Sequence, residues 1–196
     1  MTHYFSEEQK SPLRLRKIKV LLRGKEFEFF TGSGVFSGKK IDKGTEVLIE
    51  NCIVKQDAVV LDYGCGYGAV GIAIAKSSPA TEVVMVDINK RAIKLAKMNI
   101  ELNRADNADV YYLNKFQKIE KNFDVILLNP PQTAGKQVCF DMIRESKNYL
   151  TDGGTLQLVA RHNKGGEQLS EYMKTVFGNV KIIAKKGGYR VYIGKS

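Results

Sequence analysis

Two histidines and three cysteines are all that this 196-residue chain offers toward soft-metal or thiol chemistry. His3 and His162 stand far apart, and none of Cys52, Cys65 and Cys139 belongs to a Cys-x-x-Cys pair. A structural zinc site and a disulfide framework are both disfavoured, and no metal is expected. Three reduced thiols fit a cytoplasmic protein. No apolar run reaches the roughly 18 residues of a membrane span. The first residues, Met1 to Glu8, have neither the basic patch nor the apolar stretch of a signal peptide, so no membrane partner is expected. Internal repeats and low-complexity tracts are missing too. What remains is a chain of ordinary domain size, 43% hydrophobic and 27% charged, able to bury a core without covalent staples.

Acidic residues are few in two long stretches, although residues 1–9 carry −2. The net charge of +10 is not spread evenly. Residues 10–43 carry +7, residues 160–196 carry +6, and the long middle segment 44–159 carries −1. Neutral centre and basic flanks point to a polyanion, because Lys and Arg contacts to phosphate supply most non-specific nucleic-acid affinity.

Hydrophobic patterning divides the chain. Ile18–Leu22 and Glu26–Phe30 read as two short strands around Arg23-Gly24-Lys25, followed by a glycine-rich loop from Thr31 to Gly38. From residue 58 strands and helices alternate. Strands are expected at 58–61, 82–86, 110–113, 123–128, 155–160, 180–184 and 189–193; helices are expected at 69–76, 89–102, 137–150 and 167–177. In the third of these helices Val138, Met142, Ile143 and Leu150 are placed inward. Helical crossovers demand parallel pairing, whereas the short link Lys185-Lys186-Gly187-Gly188 makes the last two strands an antiparallel hairpin. An α/β fold with a mostly parallel sheet follows.

The first parallel strand runs into Asp62-Tyr63-Gly64-Cys65-Gly66-Tyr67-Gly68 before a helix. Such glycines permit a sharp turn and close approach of a ligand to the main chain. Gly64, Gly66 and Ala69 also satisfy the loose dinucleotide pattern G-x-G-x-x-G/A, so NAD competes as a ligand. Asp87 closes the second strand, where a carboxylate can take a ribose diol; otherwise it or Asn89 caps the next helix. Asp62 separates the two cofactors, since an acid there repels a pyrophosphate but meets the cationic amino-acid end of S-adenosyl-L-methionine. The fourth strand ends at Asn129-Pro130-Pro131-Gln132. The side-chain oxygen of Asn129 and the carbonyl of Pro130 form two acceptors suited to a planar –NH2 group.

These segments resemble the small methyltransferase-domain family of class I S-adenosylmethionine-dependent methyltransferases, which includes bacterial ribosomal RNA guanine-N2 methyltransferases. The likeness runs through Gly34-Val35-Phe36-Ser37, Asp42-Lys43-Gly44-Thr45, the glycine turn, Asp87-Ile88-Asn89-Lys90-Arg91-Ala92, Asn129-Pro130-Pro131, Phe177-Gly178-Asn179-Val180 and Gly187-Gly188-Tyr189-Arg190-Val191. It implies a Rossmann-like seven-stranded sheet of order 3-2-1-4-5-7-6 at residues 46–196, with residues 1–45 as a basic extension holding a β-hairpin and a glycine-rich loop. It implies that Asp62, Gly64 and Gly66 line the methionine end of the cofactor and that Asp87, with Ile88 beside it, lines the ribose. The family's usual Asp after the third strand is here Asn114, whose oxygen still accepts from the adenine amine. Asn129 touches the cofactor and, with Pro130, orients the target amine. Pro131 and Gln132 face the substrate. Gln132 stands where relatives carry an apolar or aromatic residue, so Phe36 becomes the candidate to pack on the base.

The expected activity is N-methylation of an exocyclic amino group of a base in RNA, above all guanine N2 in ribosomal RNA, with S-adenosyl-L-methionine as cofactor and RNA as partner. Rival readings are a protein glutamine N-methyltransferase, an NAD-dependent enzyme, and a non-catalytic RNA-binding protein that keeps the fold.

Overall fold

The computed structural model describes residues 12–113 and 121–196. Asn114 lies outside the described residues. Strands β1 (Leu15–Leu22) and β2 (Lys25–Gly32) pair as an antiparallel hairpin. Helix α1 (Lys43–Asn51) follows, then β3 (Val59–Tyr63), α2 (Ala69–Ser77), β4 (Glu82–Asp87), α3 (Lys90–Asn103), β5 (Ala108–Tyr112) and β6 (Phe123–Leu128). The chain continues with α4 (Lys136–Tyr149), β7 (Leu150–Arg161), α5 (Glu167–Phe177), β8 (Lys181–Lys186) and β9 (Tyr189–Lys195).

The main sheet has seven strands in the order β5-β4-β3-β6-β7-β9-β8. Counted from β3, that is the order 3-2-1-4-5-7-6 expected from the resemblance. Neighbours from β5 to β7 are parallel, and β9 runs antiparallel to both β7 and β8. Alternate side chains of each strand face opposite layers, as the pleat requires. Val60, Val83 and Met85 join the core under α1, α2, α3 and the hairpin, whereas Leu61, Val84, Ile126 and Leu158 join the core under α4 and α5. The sheet reverses its winding between β3 and β6, which opens a crevice at the carboxyl ends of these strands.

Two features were not anticipated. The first is helix α1. Its N-cap is Asp42, whose Oδ2 accepts from the Thr45 N–H at 2.9 Å, a reciprocal of the orphan donors at any helix start. Gly44 sits in its first turn because a Cβ there would come within 2.9 Å of the Tyr189 ring. Strand β7 also begins earlier than expected, at Leu150, with Gly153-Gly154 inside an irregular stretch of the β6–β7 register.

The hairpin docks through amides. Asn99 and Asn103, one turn apart on α3, bind the free edge of β2 much as another strand would. Asn99 Oδ1 accepts from the Phe30 N–H at 2.7 Å, and its Nδ2 donates to the carbonyls of Phe30 and Tyr67. Asn103 repeats the pairing with the N–H and carbonyl of Glu28. Asn99 is fully buried. Replacing it by alanine strands one N–H and two carbonyls away from water, each costing about 1–3 kcal/mol. Asn99→Ala is expected to lower unfolding stability by roughly 3 kcal/mol or more, measured as a shifted denaturant midpoint with cofactor absent. A change below about 1 kcal/mol would show that the hairpin is held by its apolar face alone.

Candidate active site

The glycine turn is shaped by its own hydrogen bonds. Gly64, Gly66 and Gly68 have φ of +78°, +58° and +91°, a region that side chains disfavour. The N–H groups of Gly64 and Cys65 both donate to the Val86 carbonyl at 2.9 Å, and the Gly66 N–H donates to Asp87 Oδ2 at 2.8 Å. Three amides that a dinucleotide turn would aim at a pyrophosphate are thus committed to β4, which counts against the NAD reading.

The two carboxylates flank this turn. Asp62 is buried, and its Oδ2 accepts from the Gly71 N–H at 2.9 Å. Gly71 permits this approach, since a Cβ there would collide with Met85 Sδ at 2.4 Å. Among the described residues no group donates to Asp62 Oδ1, and Asp62 lines the cavity. Burial pushes its carboxyl up to about 7, against the pull of the Gly71 N–H and with a further push from the charge of Asp87. Asp87 accepts from Gly66 with Oδ2 and from the Asn89 N–H with Oδ1, and burial raises its pKa as well. The cap of α3 is Asn89, which accepts from Arg91 and Ala92. Asp87 is therefore free of the capping role.

Asn129 stands at the end of β6. Its Nδ2 donates to Asp42 Oδ2 at 3.1 Å and to Thr45 Oγ1 at 2.9 Å. A carboxylate accepts and never donates, so the amide must turn its nitrogen toward Asp42. Its Oδ1 has no donor among the described residues. The Pro130 carbonyl accepts from the Gln132 N–H at 2.8 Å, leaving its second lone pair.

All of this surrounds one crevice of about 510 Å³. Of the expected site residues, Phe36, Asp62, Gly64, Gly66, Asp87, Ile88, Asn129, Pro130 and Pro131 line it. Gln132 does not; it is exposed, and its Nε2 donates to the Lys164 carbonyl at 3.0 Å. The loop that carries Phe36 is tied to α3 by Asn89 Nδ2 on the Gly34 carbonyl and Arg91 Nη1 on the Ser33 carbonyl. Sequence reasoning missed Thr45, Tyr67 and the α4 face, where Val138, Met142 and Glu145 line the crevice. Val138, read as inward, is 41% exposed and looks into the cavity. A helical period marks an apolar face but does not tell core from cavity. The described residues contain no His/Cys/Asp/Glu cluster able to hold a metal, and no helix among them is long and apolar enough to cross a membrane.

Comparison with known proteins decides the lineage. The family model "Methyltransferase small domain" matches residues 26–193. The chain belongs to the methyltransferase small domain family. It is 33% identical to YbxB of Bacillus subtilis (strain 168) over 196 residues, 98% of each chain. It is 34% identical over 167 residues to the ribosomal RNA small subunit methyltransferase C of Haemophilus influenzae (strain 86-028NP), covering 83% of this chain and 49% of that one. The chain thus spans the length of YbxB but about half of the ribosomal RNA methyltransferase. The solved T. thermophilus 16S rRNA N2 G1207 methyltransferase (RsmC), in complex with AdoMet and guanosine, superposes with a TM-score of 0.76 at 23% identity, over 96% of this chain and 53% of that one. The cofactor of such methyltransferases is S-adenosyl-L-methionine, and the residues of the crevice fit it. The volume suits a ligand of that size. The open oxygen of buried Asp62 suits an ammonium, and the glycine turn leaves room beside it.

The raised pKa of Asp62 has a consequence for stability. The native carboxyl keeps its proton to about pH 7, whereas the unfolded one releases it near 3.8. Between these values the native state binds more protons, so this group's contribution falls as pH rises. Relative to Asp62→Asn, the cofactor-free wild type is expected to lose stability from about pH 4 to 7, at up to about 1.4 kcal/mol per pH unit. Denaturant titrations of both proteins across that range provide the check; a constant difference would mean that Asp62 is ionised throughout.

Proposed function

We propose that this chain methylates an exocyclic amino group of a base in RNA, with guanine N2 of ribosomal RNA as its specific target. The observation that carries the reading is the fixed amide of Asn129. Asp42 and Thr45 hold its nitrogen, which leaves Oδ1 as an acceptor at the carboxyl edge of β6, next to the Pro130 carbonyl. Likeness to RsmC in sequence and fold supports the choice of base.

Asp62 Oδ1 would hold the ammonium of the cofactor, and Asp87 would take the ribose diol with the lone pairs left over from Gly66 and Asn89. Ile88 and the α4 residues Val138 and Met142 would form apolar walls beside them. When bound, S-adenosyl-L-methionine supplies an activated methyl group. The protein's share is alignment. Asn129 Oδ1 and the Pro130 carbonyl accept the two hydrogens of a planar amine, which directs the nitrogen lone pair out of that plane. No strong base is required, because such a nitrogen becomes acidic only after it gains the methyl. The site matches this. His162 does not line the crevice; its Nδ1 lies 2.9 Å from Tyr192 Oη. A base in folded RNA must be unstacked to reach the pocket, whose lining includes the apolar side chains of Phe36 and Pro131.

Asn129→Ala is expected to reduce single-turnover methyl transfer by about 100-fold or more, as loss of one preorganised polar contact does. Cofactor affinity by calorimetry should stay within a few-fold. Asp87→Ala should do the reverse first, weakening cofactor binding by about 10-fold or more through loss of charged hydrogen bonds. The decisive assay is radiolabelled methyl transfer to ribosomal RNA with nucleoside analysis. Label in N2-methylguanosine supports the reading; label in glutamine of ribosomal protein, or none in either, overturns it.

A further inference from the structure

The two basic flanks of the sequence meet in the fold. The first flank contributes little of its hairpin: Lys17 and Lys19 both pair with Glu28, and Arg23 is spent on the carbonyls of Ile49 and Cys52. Its last cation, Lys43, starts α1 next to the Asp42–Asn129 contact. The second flank folds back to the same place. The Tyr189 ring packs on Gly44, and Lys186 Nζ lies 4.0 Å from Glu46 Oε1, which also receives Lys43 Nζ at 2.7 Å. Arg161 pairs with Tyr189 in the β7–β9 register, and the next residue, His162, donates its N–H to the Gly188 carbonyl at 3.0 Å. Lys164 is joined to the Asn-Pro-Pro turn through the Gln132 amide. Arg190 stands opposite Lys185 on β8.

We propose that Lys43, Arg161, Lys164, Lys185, Lys186 and Arg190 form one phosphate-binding rim beside Asn129 that seats the RNA backbone flanking the target base. This rests on the RNA reading above. The charge balance favours it. Residues 181–195 contain five Lys or Arg and no acid. Of the acids on the adjoining elements, Asp42 is committed to Thr45 and Asn129, and Glu50 at the far end of α1 accepts from the Arg23 N–H. Glu46, paired with Lys43, remains, as do Glu167 and Glu171 on α5 and Asp152 on β7, four acids against six cations. Five of these, all but Arg190, are exposed. A cationic track next to an aromatic and a proline face is the pattern that binds unstacked nucleic acid, with phosphates on the cations and bases on the flat side chains. An acidic peptide would have no use for those faces.

The test removes two charges from the exposed turn, Lys185→Ala with Lys186→Ala, and compares an equal loss on α3, Lys94→Ala with Lys97→Ala. Affinity for a ribosomal RNA fragment is measured across a salt series. The rim variant is expected to bind about 10-fold more weakly at low salt, with the slope of log affinity against log salt reduced by about 1–2. The α3 variant should match wild type, and both should bind S-adenosyl-L-methionine normally. Equal losses in the two variants, or no loss in either, would overturn the rim. So would polyglutamate binding as tightly as RNA with the same slope change. A slope change confined to the rim variant, in a protein that transfers no methyl to RNA, would uphold the rim and sink the methylation reading instead.

Discussion

A single carboxylate oxygen, Asp42 Oδ2, sets the geometry on which the site depends. It accepts from the Thr45 N–H and so begins α1, and it accepts from Asn129 Nδ2, 87 residues further on in the sequence. The first satisfies an orphan donor of the helix start, and the second joins the Thr45 Oγ1 contact in holding the Asn129 amide nitrogen. Because the oxygen cannot donate, it imposes one of the two orientations open to the Asn129 amide. The residue that meets the substrate amine in our reading is therefore oriented by a helix cap from the other side of the crevice. The adjoining prolines stiffen the turn, so the amide has little room to escape that constraint.

Helix α1 carries this constraint outward. Its far end is fixed as firmly as its start: the buried Gln157 of β7 accepts from the Ile53 N–H with Oε1 and donates to the Ile53 carbonyl with Nε2. Between these anchors Val47, Leu48 and Ile49 are fully buried. The helix thereby ties the end of β6 to β7 and, through Gly44 and Tyr189, to the β8–β9 hairpin. A change in the hairpin's position would be felt at Asn129 through packed atoms rather than through a flexible loop.

Much of this was legible in the sequence, and what was not has physical causes. The strand order comes from the family resemblance, whereas the mostly parallel sheet, the glycine turn and the strand-end positions of Asp87 and Asn129 follow from patterns that local chemistry enforces. Helix α1 was missed because Gly44, Thr45, Val47 and Ile49 are weak helix formers, and only tertiary anchors at both ends decide the matter. The docking of the hairpin was invisible for a different reason. Asn99 occupies a core position of α3, three residues after Ala96, and a polar residue there gives no signal of the backbone edge that it pairs with. Val138 was assigned to the core because a cavity wall and a core wall share one pattern. Gln132 was placed against the substrate by its neighbours in sequence, yet its amide finds the Lys164 carbonyl first.

Asp62 shows how far the site departs from what the fold alone would choose. Its surroundings offer one N–H, from Gly71, and otherwise the buried chain. An asparagine there could accept the same bond without the cost of placing a charge out of water. Gly71 and Met85 pack so closely on the α2 side that a Cβ at Gly71 would meet Met85 Sδ at 2.4 Å. Its one open oxygen faces the crevice, where the second carboxylate, Asp87, raises the demand for positive charge. A neutral or anionic ligand leaves that demand unmet, and the amides that would have welcomed an anion are already taken by Val86 and Asp87. A cationic ligand answers both conditions at once. In our reading the destabilising carboxylate finds its explanation in the ligand rather than in the packing, which is where strain retained by a fold normally points.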